Sequence, residues 1–255
     1  MVAPFVLSRA RLLTFMTSPR LFQQRYVLEN PEPQPPLPPE AALAARRGKQ
    51  FHQLLAQLFS GVPDVAPPAD TEVRAWWRAF QEKGPRLPAG VRLPEISLTV
   101  PVGGHFLTGR FDLLVHSPAE DGAGSLHIYD WKTERRPRDR NALRLDWQTR
   151  LYLALATAGG QALIDGTTPF PPSAIRLTYW FTAAPHAPVT LDYDEASHRR
   201  AWEAITGVVA AIDGLLRENP PIWPDAGPAT ADGVVFPPEP AEPPPMPDAL
   251  EPEWS

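Results

Sequence analysis

Apolar residues along this chain recur with two different periods, and the change of period marks where helices give way to a sheet. In LSRARLLTFMTSPRLFQQRYV, residues 7–27, Leu12, Phe15 and Met16 have the spacing of one helix face. Ser8 stands ahead of them in a capping position. Ser18-Pro19 breaks and restarts the helix, which Leu21, Phe22 and Tyr26 continue. A second helix is predicted from about 39 to 59 on Leu43, Phe51, Leu54, Leu55 and Leu58, ended by Gly61 and Pro63. A short helix over 71–81 carries Trp76, Trp77 and Phe80.

The pattern then shortens to that of strands. PEISLTVPV, 94–102, reads as one strand, and GGHFLTGRFDLLVHS, 103–117, as a turn and a second strand paired with it. PAEDGAG is a loop and LHIYDWKT a third strand. DRNALRLDWQTRLYLALATAG, 139–159, reads as one long helix with Leu145, Leu151, Tyr152 and Leu155 inward. AIRLTYWFT, 174–182, gives a fourth strand, and 194–219 a closing helix. No internal repeat is visible. The order fits an α/β fold, one mixed sheet with helices on both faces. We expect a single domain over 1–233, then a separate tail over 234–255.

Composition changes this picture at two places. Of 34 prolines, many lie in PEPQPPLPPE, 31–40, and in the tail. The first suggests a stiff connector, the second a disordered end. There is no cysteine, which excludes disulfides, thiolate zinc sites and cysteine-ligated iron–sulfur clusters. No apolar run approaches the ~18 residues of a membrane span. MVAPFVLSRARLL lacks the core of a secretory signal, so a cytoplasmic protein is expected. The net charge of −5 is unevenly placed: residues 186–255 hold 13 acidic and 3 basic groups, so the rest of the chain is mildly basic. Local potential, more than the total, steers a phosphate chain.

The candidate chemistry begins in SLHIYDWKTERRPRDR, 125–140. Asp130 and Lys132 share one side of an apolar strand, because strand side chains repeat every two residues. Burying both is unfavourable unless each has a partner, so the pair is either a structural ion pair or a site. Asp112 lies on the adjacent strand and Glu95 on the one before it. Three carboxylates close together raise one another's pKa. A hard dication, Mg²⁺ or Mn²⁺, removes that repulsion. Lys132 beside it could position a water or stabilise charge in a transition state. No histidine pair has zinc-ligand spacing.

With these residues in order, the chain resembles the RecB-like branch of the PD-(D/E)xK nuclease superfamily. The N-terminal helix pair of that branch stands here as LSRARLLTFMTSPRLFQQRYV, its G-x-x-x-H as Gly48 and His52, and its first-strand glutamate as Glu95. Its G-x-x-D is GRFD, ending in Asp112; its D-x-K is Asp130 and Lys132; its Q-x-x-x-(Y/F) runs from Gln148 to Tyr152. The resemblance implies a restriction-endonuclease-like core and a metal held by Glu95, Asp112 and Asp130. His52 would ligate the metal or touch a phosphate. Lys132 would be catalytic, with Gln148 and Tyr152 holding it or the DNA strand. Arg135, Arg136, Arg138 and Arg140 suit contacts to a nucleic-acid backbone. Trp76, Trp77 and Phe80 are either base-stacking or, more in keeping with such clusters, core.

The implied activity is metal-dependent hydrolysis of DNA in repair or recombination. The alternative is an accessory subunit that binds nucleic acid in a helicase or repair complex with little turnover. DNA, single strands included, is the expected partner, with a separately encoded helicase or repair protein as a second, since the chain has no phosphate loop of its own. Relatives with an iron–sulfur cluster use a C-P cysteine where this chain has Ser18. No cluster is expected, and packing of Leu12, Phe15, Leu21 and Phe22 has to hold the N-terminal helices instead.

Overall fold

The long apolar run between 91 and 117 folds back on itself at Gly103-Gly104, and this hairpin organises the sheet. In the computed structural model, which describes residues 4–30, 35–119, 124–164, 166 and 168–227, the hairpin consists of β2 (Val91–Val102) and β3 (His105–Ser117). β4 (Ser125–Lys132) runs antiparallel on the other edge of β3, paired from Leu113 to Ser117. β5 (Ile175–Phe181) lies parallel to β4, and β6 (Val189–Asp192) antiparallel to β5. A two-residue strand, β1 (Val6–Leu7), runs parallel to β3 at Phe106 and Leu107. β1 and β4 thus share one edge of β3, with Thr108–Asp112 between them paired to neither. The sheet is mixed and six-stranded.

Parallel strands need a crossover, and α5 (Arg140–Leu145) with α6 (Trp147–Gly159) supplies it between β4 and β5. α6 packs on one face of the sheet with α1 (Arg9–Thr17) and α7 (Glu195–Glu218), around Leu107, Phe111, Leu151, Leu155 and Ile205. α3 (Pro39–Phe59) and α4 (Thr71–Lys83) cover the other face, burying Phe51, Leu55, Trp77, Phe80 and Trp131. Strands covered on both sides lose polar alternation, and all of β5 except Arg176 is buried. This architecture is an α/β fold with a mixed central sheet flanked by helices, consistent with a restriction-endonuclease-like core.

Several boundaries differ from the sequence reading. The first helix begins at Arg9, capped by Ser8, and the residues ahead of it join the sheet as β1. His105 fixes that strand: its Nδ1 accepts the Phe5 N–H at 3.0 Å while Nε2 meets Asp213 at 2.9 Å. The Ser18-Pro19 restart occurs as expected, giving α2 (Pro19–Phe22), but the chain then widens into a π-helical turn over Gln23–Val27. The predicted helix over 139–159 is two helices. Asp146 interrupts it by leaving helical geometry and accepting the Gln148 N–H at 2.6 Å. Leu145, expected inward, is exposed at that break. β6 is too short for a periodic signal. Trp77 and Phe80 are core, with Trp76 edge-on to Phe51. The tail at 234–255 and part of the proline connector, 31–34, lie outside the described residues.

The N-terminal helices are held by more than their own packing. Residues 219–227 return across them, and Trp223 is buried with its ring stacked on Phe22, centroids 6.1 Å apart, and edge-on to Phe15. Gln23 accepts the Trp223 N–H at 3.0 Å and donates to the Pro220 carbonyl at 3.3 Å. The Arg20 N–H donates to the Pro224 carbonyl at 3.0 Å. Leu12, Phe15 and Phe22 are buried as expected; Leu21 is only half-buried.

Candidate metal centre

β2 and β3 do not alternate regularly along their whole length, and the irregularity falls on the candidate carboxylates. On β3, Leu107 and Phe111 face α6, yet Leu113 and Val115 face α3 and α4, and Leu114 faces back to α6. The alternation therefore slips by one residue at Asp112. On β2 the same slip lies between Leu93 and Ile96, both of which pack on the α6 side. The two slips cancel in the ladder. Pro94 pairs with Leu113 and Ile96 with Phe111, leaving Glu95 and Asp112 opposite each other in the interruption. Glu95 has a positive φ of 52°. Left-handed backbone is strained for a residue with a Cβ, and such strain concentrates at functional positions.

Asp112 marks the point where β3 parts from β4, and its Oδ2 accepts the Trp131 N–H at 2.8 Å in place of a ladder partner. Its Oδ1 lies 3.2 Å from Nδ1 of His52. His52 comes from α3, one turn after Gly48, where the helix meets the end of β4 closely. A Cβ on Gly48 would stand 3.1 Å from the Thr133 hydroxyl. Glu95 completes the group, with Oε2 2.6 Å from Nη2 of Arg110. Ligand atoms from His52, Glu95 and Asp112 all fall within 4.8 Å of one another.

Asp130, Lys132, Gln148 and Tyr152 meet on the α6 side. Lys132 Nζ donates to Gln148 Oε1 at 2.8 Å and pairs with Asp130 Oδ1 at 2.9 Å. Gln148 Nε2 donates to Asp130 Oδ2 at 2.6 Å. Both oxygens of the buried Asp130 carboxylate thus face a donor group, Oδ1 the Lys132 ammonium and Oδ2 the Gln148 amide. Tyr152 donates to the Arg110 carbonyl at 2.5 Å, in the part of β3 that lacks a strand neighbour on that edge. α6 sits this close because residue 109 is glycine; a Cβ there would stand 2.7 Å from Leu155 Cδ1. Asp130 thus lies outside the His52–Glu95–Asp112 group.

Charge in the centre is mutually maintained. Burial works against a protonated His52, but Asp112, Asp130 and Glu95 outweigh it and hold the imidazole at about 9. Burial raises Asp112, yet His52, the Trp131 N–H and Lys132 bring it below its usual value. Burial and Asp112 push Glu95 up, against Arg110 and His52. Asp130 is raised by burial and Asp112 despite Lys132. Burial opposes the Lys132 charge, but Asp130 and Asp112 keep it an ammonium. Burial, with Asp130 and Asp112 nearby, keeps Tyr152 a neutral donor.

Of the four arginines that follow Lys132, Arg135, Arg136 and Arg140 are exposed. Arg138 is half-buried and bridges Glu134 and Asp146. Arg9 also approaches Asp146, at 3.8 Å. Sequence reasoning missed Asp146 and Arg110. The first had a signal, since Asp two positions before Gln is a helix-start pattern; the second is one basic residue among many. Arg150 lies over the Trp147 ring at 5.9 Å.

One imidazole nitrogen with two carboxylates is a donor set that can coordinate a divalent cation. The sequence has no cysteine for an iron–sulfur cluster. No helix among the described residues is long and apolar enough to cross a membrane. No curated protein matches the chain. Several solved structures are similar, two of them as follows. The crystal structure of SSO0001 shares 14% identity, with a TM-score of 0.41, over 84% of this chain and 78% of that one. That of a putative exonuclease from Eubacterium rectale shares 9%, with a TM-score of 0.47, over 91% and 90%. The family profile described as the PD-(D/E)XK nuclease superfamily matches residues 6–230. A match of that extent, across the elements that carry Glu95, Asp112, Asp130 and Lys132, means that the chain belongs to the PD-(D/E)XK nuclease superfamily.

Proposed function

We propose that this protein is a Mg²⁺- or Mn²⁺-dependent DNA nuclease that hydrolyses phosphodiester bonds in repair or recombination. The observation that carries the reading is the meeting of His52, Glu95 and Asp112, brought from α3, β2 and β3 to within 4.8 Å, with the buried ammonium of Lys132 on the next strand. His52, Glu95 and Asp112, with Asp130 on the neighbouring strand, would hold the cation; the mixed nitrogen–oxygen set favours Mn²⁺ over Mg²⁺. When bound, it would polarise the phosphate and acidify a water.

The protein's own groups do the rest. Lys132 stays protonated, so it acts as a positive charge and hydrogen-bond donor toward the phosphate oxygens and not as a base. Gln148 fixes it by accepting from Nζ while donating to Asp130. Tyr152 holds the β3 backbone on which Asp112 depends. Arg135, Arg136 and Arg140 contact the nucleic-acid backbone, and Arg138 anchors their segment to Asp146. The domain over 1–233 works in the cytoplasm, free-standing or docked on a separately encoded helicase or repair protein. The test is incubation of folded protein with labelled single- and double-stranded DNA in Mg²⁺, Mn²⁺ or EDTA. Cleavage with metal and none in EDTA is expected. Absence of cleavage with every metal overturns the reading.

A further inference from the structure

Around the His52–Glu95–Asp112 group the charged side chains differ sharply in their access to solvent. The Lys132 side chain is 14% exposed and Asp130 3%, whereas Arg110 is 57% exposed. Arg110 is therefore the cation at the open mouth of the centre. Its guanidinium is engaged with Glu95 Oε2, an atom of a residue in the candidate metal set. Its backbone is fixed, because Tyr152 donates to its carbonyl and Ser97 pairs with it across the hairpin. The long side chain alone is free to turn.

Two positive groups compete for one carboxylate here. Without a metal, Arg110 compensates Glu95, which sits on left-handed backbone opposite Asp112. A dication among His52, Glu95 and Asp112 would take over that compensation and would repel the guanidinium. A released arginine at the mouth faces what the cation attracts, an anionic strand, and a planar fork suits phosphate oxygens.

We infer that Arg110 is a phosphate-binding residue held in reserve: it rests on Glu95 in the metal-free protein and transfers to the phosphodiester backbone of the DNA once a divalent cation occupies the centre. This rests on the nuclease reading above. It makes Arg110 a substrate-binding residue whose contribution is conditional on metal, unlike the arginines that follow Lys132.

The test uses Arg110→Met, which keeps length and removes charge at an exposed position, with Arg110→Lys as a charge-retaining control. Calorimetry with Mn²⁺ alone should show roughly three- to tenfold tighter binding for Arg110→Met, because a competing cation is gone. Binding of a labelled single strand in EDTA should be the same for Arg110→Met and the parent. In Mn²⁺, Arg110→Met should raise KM for cleavage about tenfold with kcat little changed. The salt dependence of kcat/KM should flatten by roughly 0.7 of a log unit per log unit. Arg110→Lys should keep the salt slope. Unchanged or weaker Mn²⁺ affinity in Arg110→Met overturns the inference. So does a loss of DNA binding in EDTA equal to the KM change, which would mark ordinary surface charge. A parent that binds Mn²⁺ and cleaves nothing overturns the nuclease reading and this inference with it. An active parent whose Arg110→Met variant keeps its KM overturns this inference alone.

Discussion

At Asp112, polar groups are taken out of water by setting charge against charge; at the seam between the N-terminal helices and residues 219–227, neutral groups do it by hydrogen bonding. The centre gathers His52, Glu95, Asp112, Asp130 and Lys132, and each owes its charge state to the others. The seam uses one glutamine and backbone groups, covered by Trp223, Phe22 and Phe15. Buried ion pairs add little net stability, since desolvation offsets attraction. Stacked, fully buried aromatics add much. The centre is therefore where a substitution removes chemistry, and the seam is where it removes stability.

The largest effect should come from Lys132→Ala. Cleavage should fall by about 10³-fold or more, while Mn²⁺ binding by calorimetry persists, because an ammonium is no ligand. Asp130, already pushed toward its protonated form, can take up a proton once the lysine is gone. Retained cleavage would remove the chemical role from the centre. Trp223→Ala is the converse. Urea unfolding should show a loss of about 3–5 kcal/mol, with Mn²⁺ affinity unchanged at temperatures where the variant is folded. A drop in metal affinity there would show that the two regions are not separate.

A smaller effect sharpens the same contrast. Mn²⁺ at 100 times its Kd should stabilise the parent by about 2.7 kcal/mol. Asp112→Asn should abolish that increment, and Trp223→Ala should keep it; thermal melts with and without Mn²⁺ read both. The smallest involves His127, a half-buried neutral group on the strand of Asp130. Burial, and next Arg176, hold its imidazole down at about 4. Its folded pKa is thus below the unfolded value of about 6.5. The stability it contributes is complete above about 6.5 and is lost progressively as pH falls toward 4. His127→Gln should flatten the stability–pH curve in that window; an unchanged slope would mean that the imidazole is not neutral in the fold.

Sequence exposed the centre better than the seam for a physical reason. Asp130 and Lys132 stand out because charge inside an apolar strand is unfavourable unless matched, and Gly48 and Gly109 stand beside His52 and Asp112 where helices approach closely. The long helices and the three central strands were legible from their periods. The paired slip at Glu95 and Asp112 was not, because it cancels in the register and needs both strands to be seen. The break at Asp146 was hidden by apolar residues on either side. Gln23 and Trp223 carried no signal at all: a glutamine that bonds backbone groups looks like any other glutamine, and its partners are remote in sequence.

That remoteness has a consequence in time. Gln23 and Trp223 are separated by 200 residues. A ribosome delivers α1 and α2 about 200 residues before the residues that cover them. The hairpin β2–β3 and the strands after it meet partners made soon before them, so the sheet and its centre can assemble on the growing chain. Phe15 and Phe22 meanwhile lack the indole that covers them. Closing so long a loop adds little entropy beyond a shorter one, about 0.6 kcal/mol per doubling, so the delay is one of order and not of energy. Until those residues emerge, the nascent protein displays an uncovered aromatic surface on α1 and α2, the kind of surface that chaperones shield.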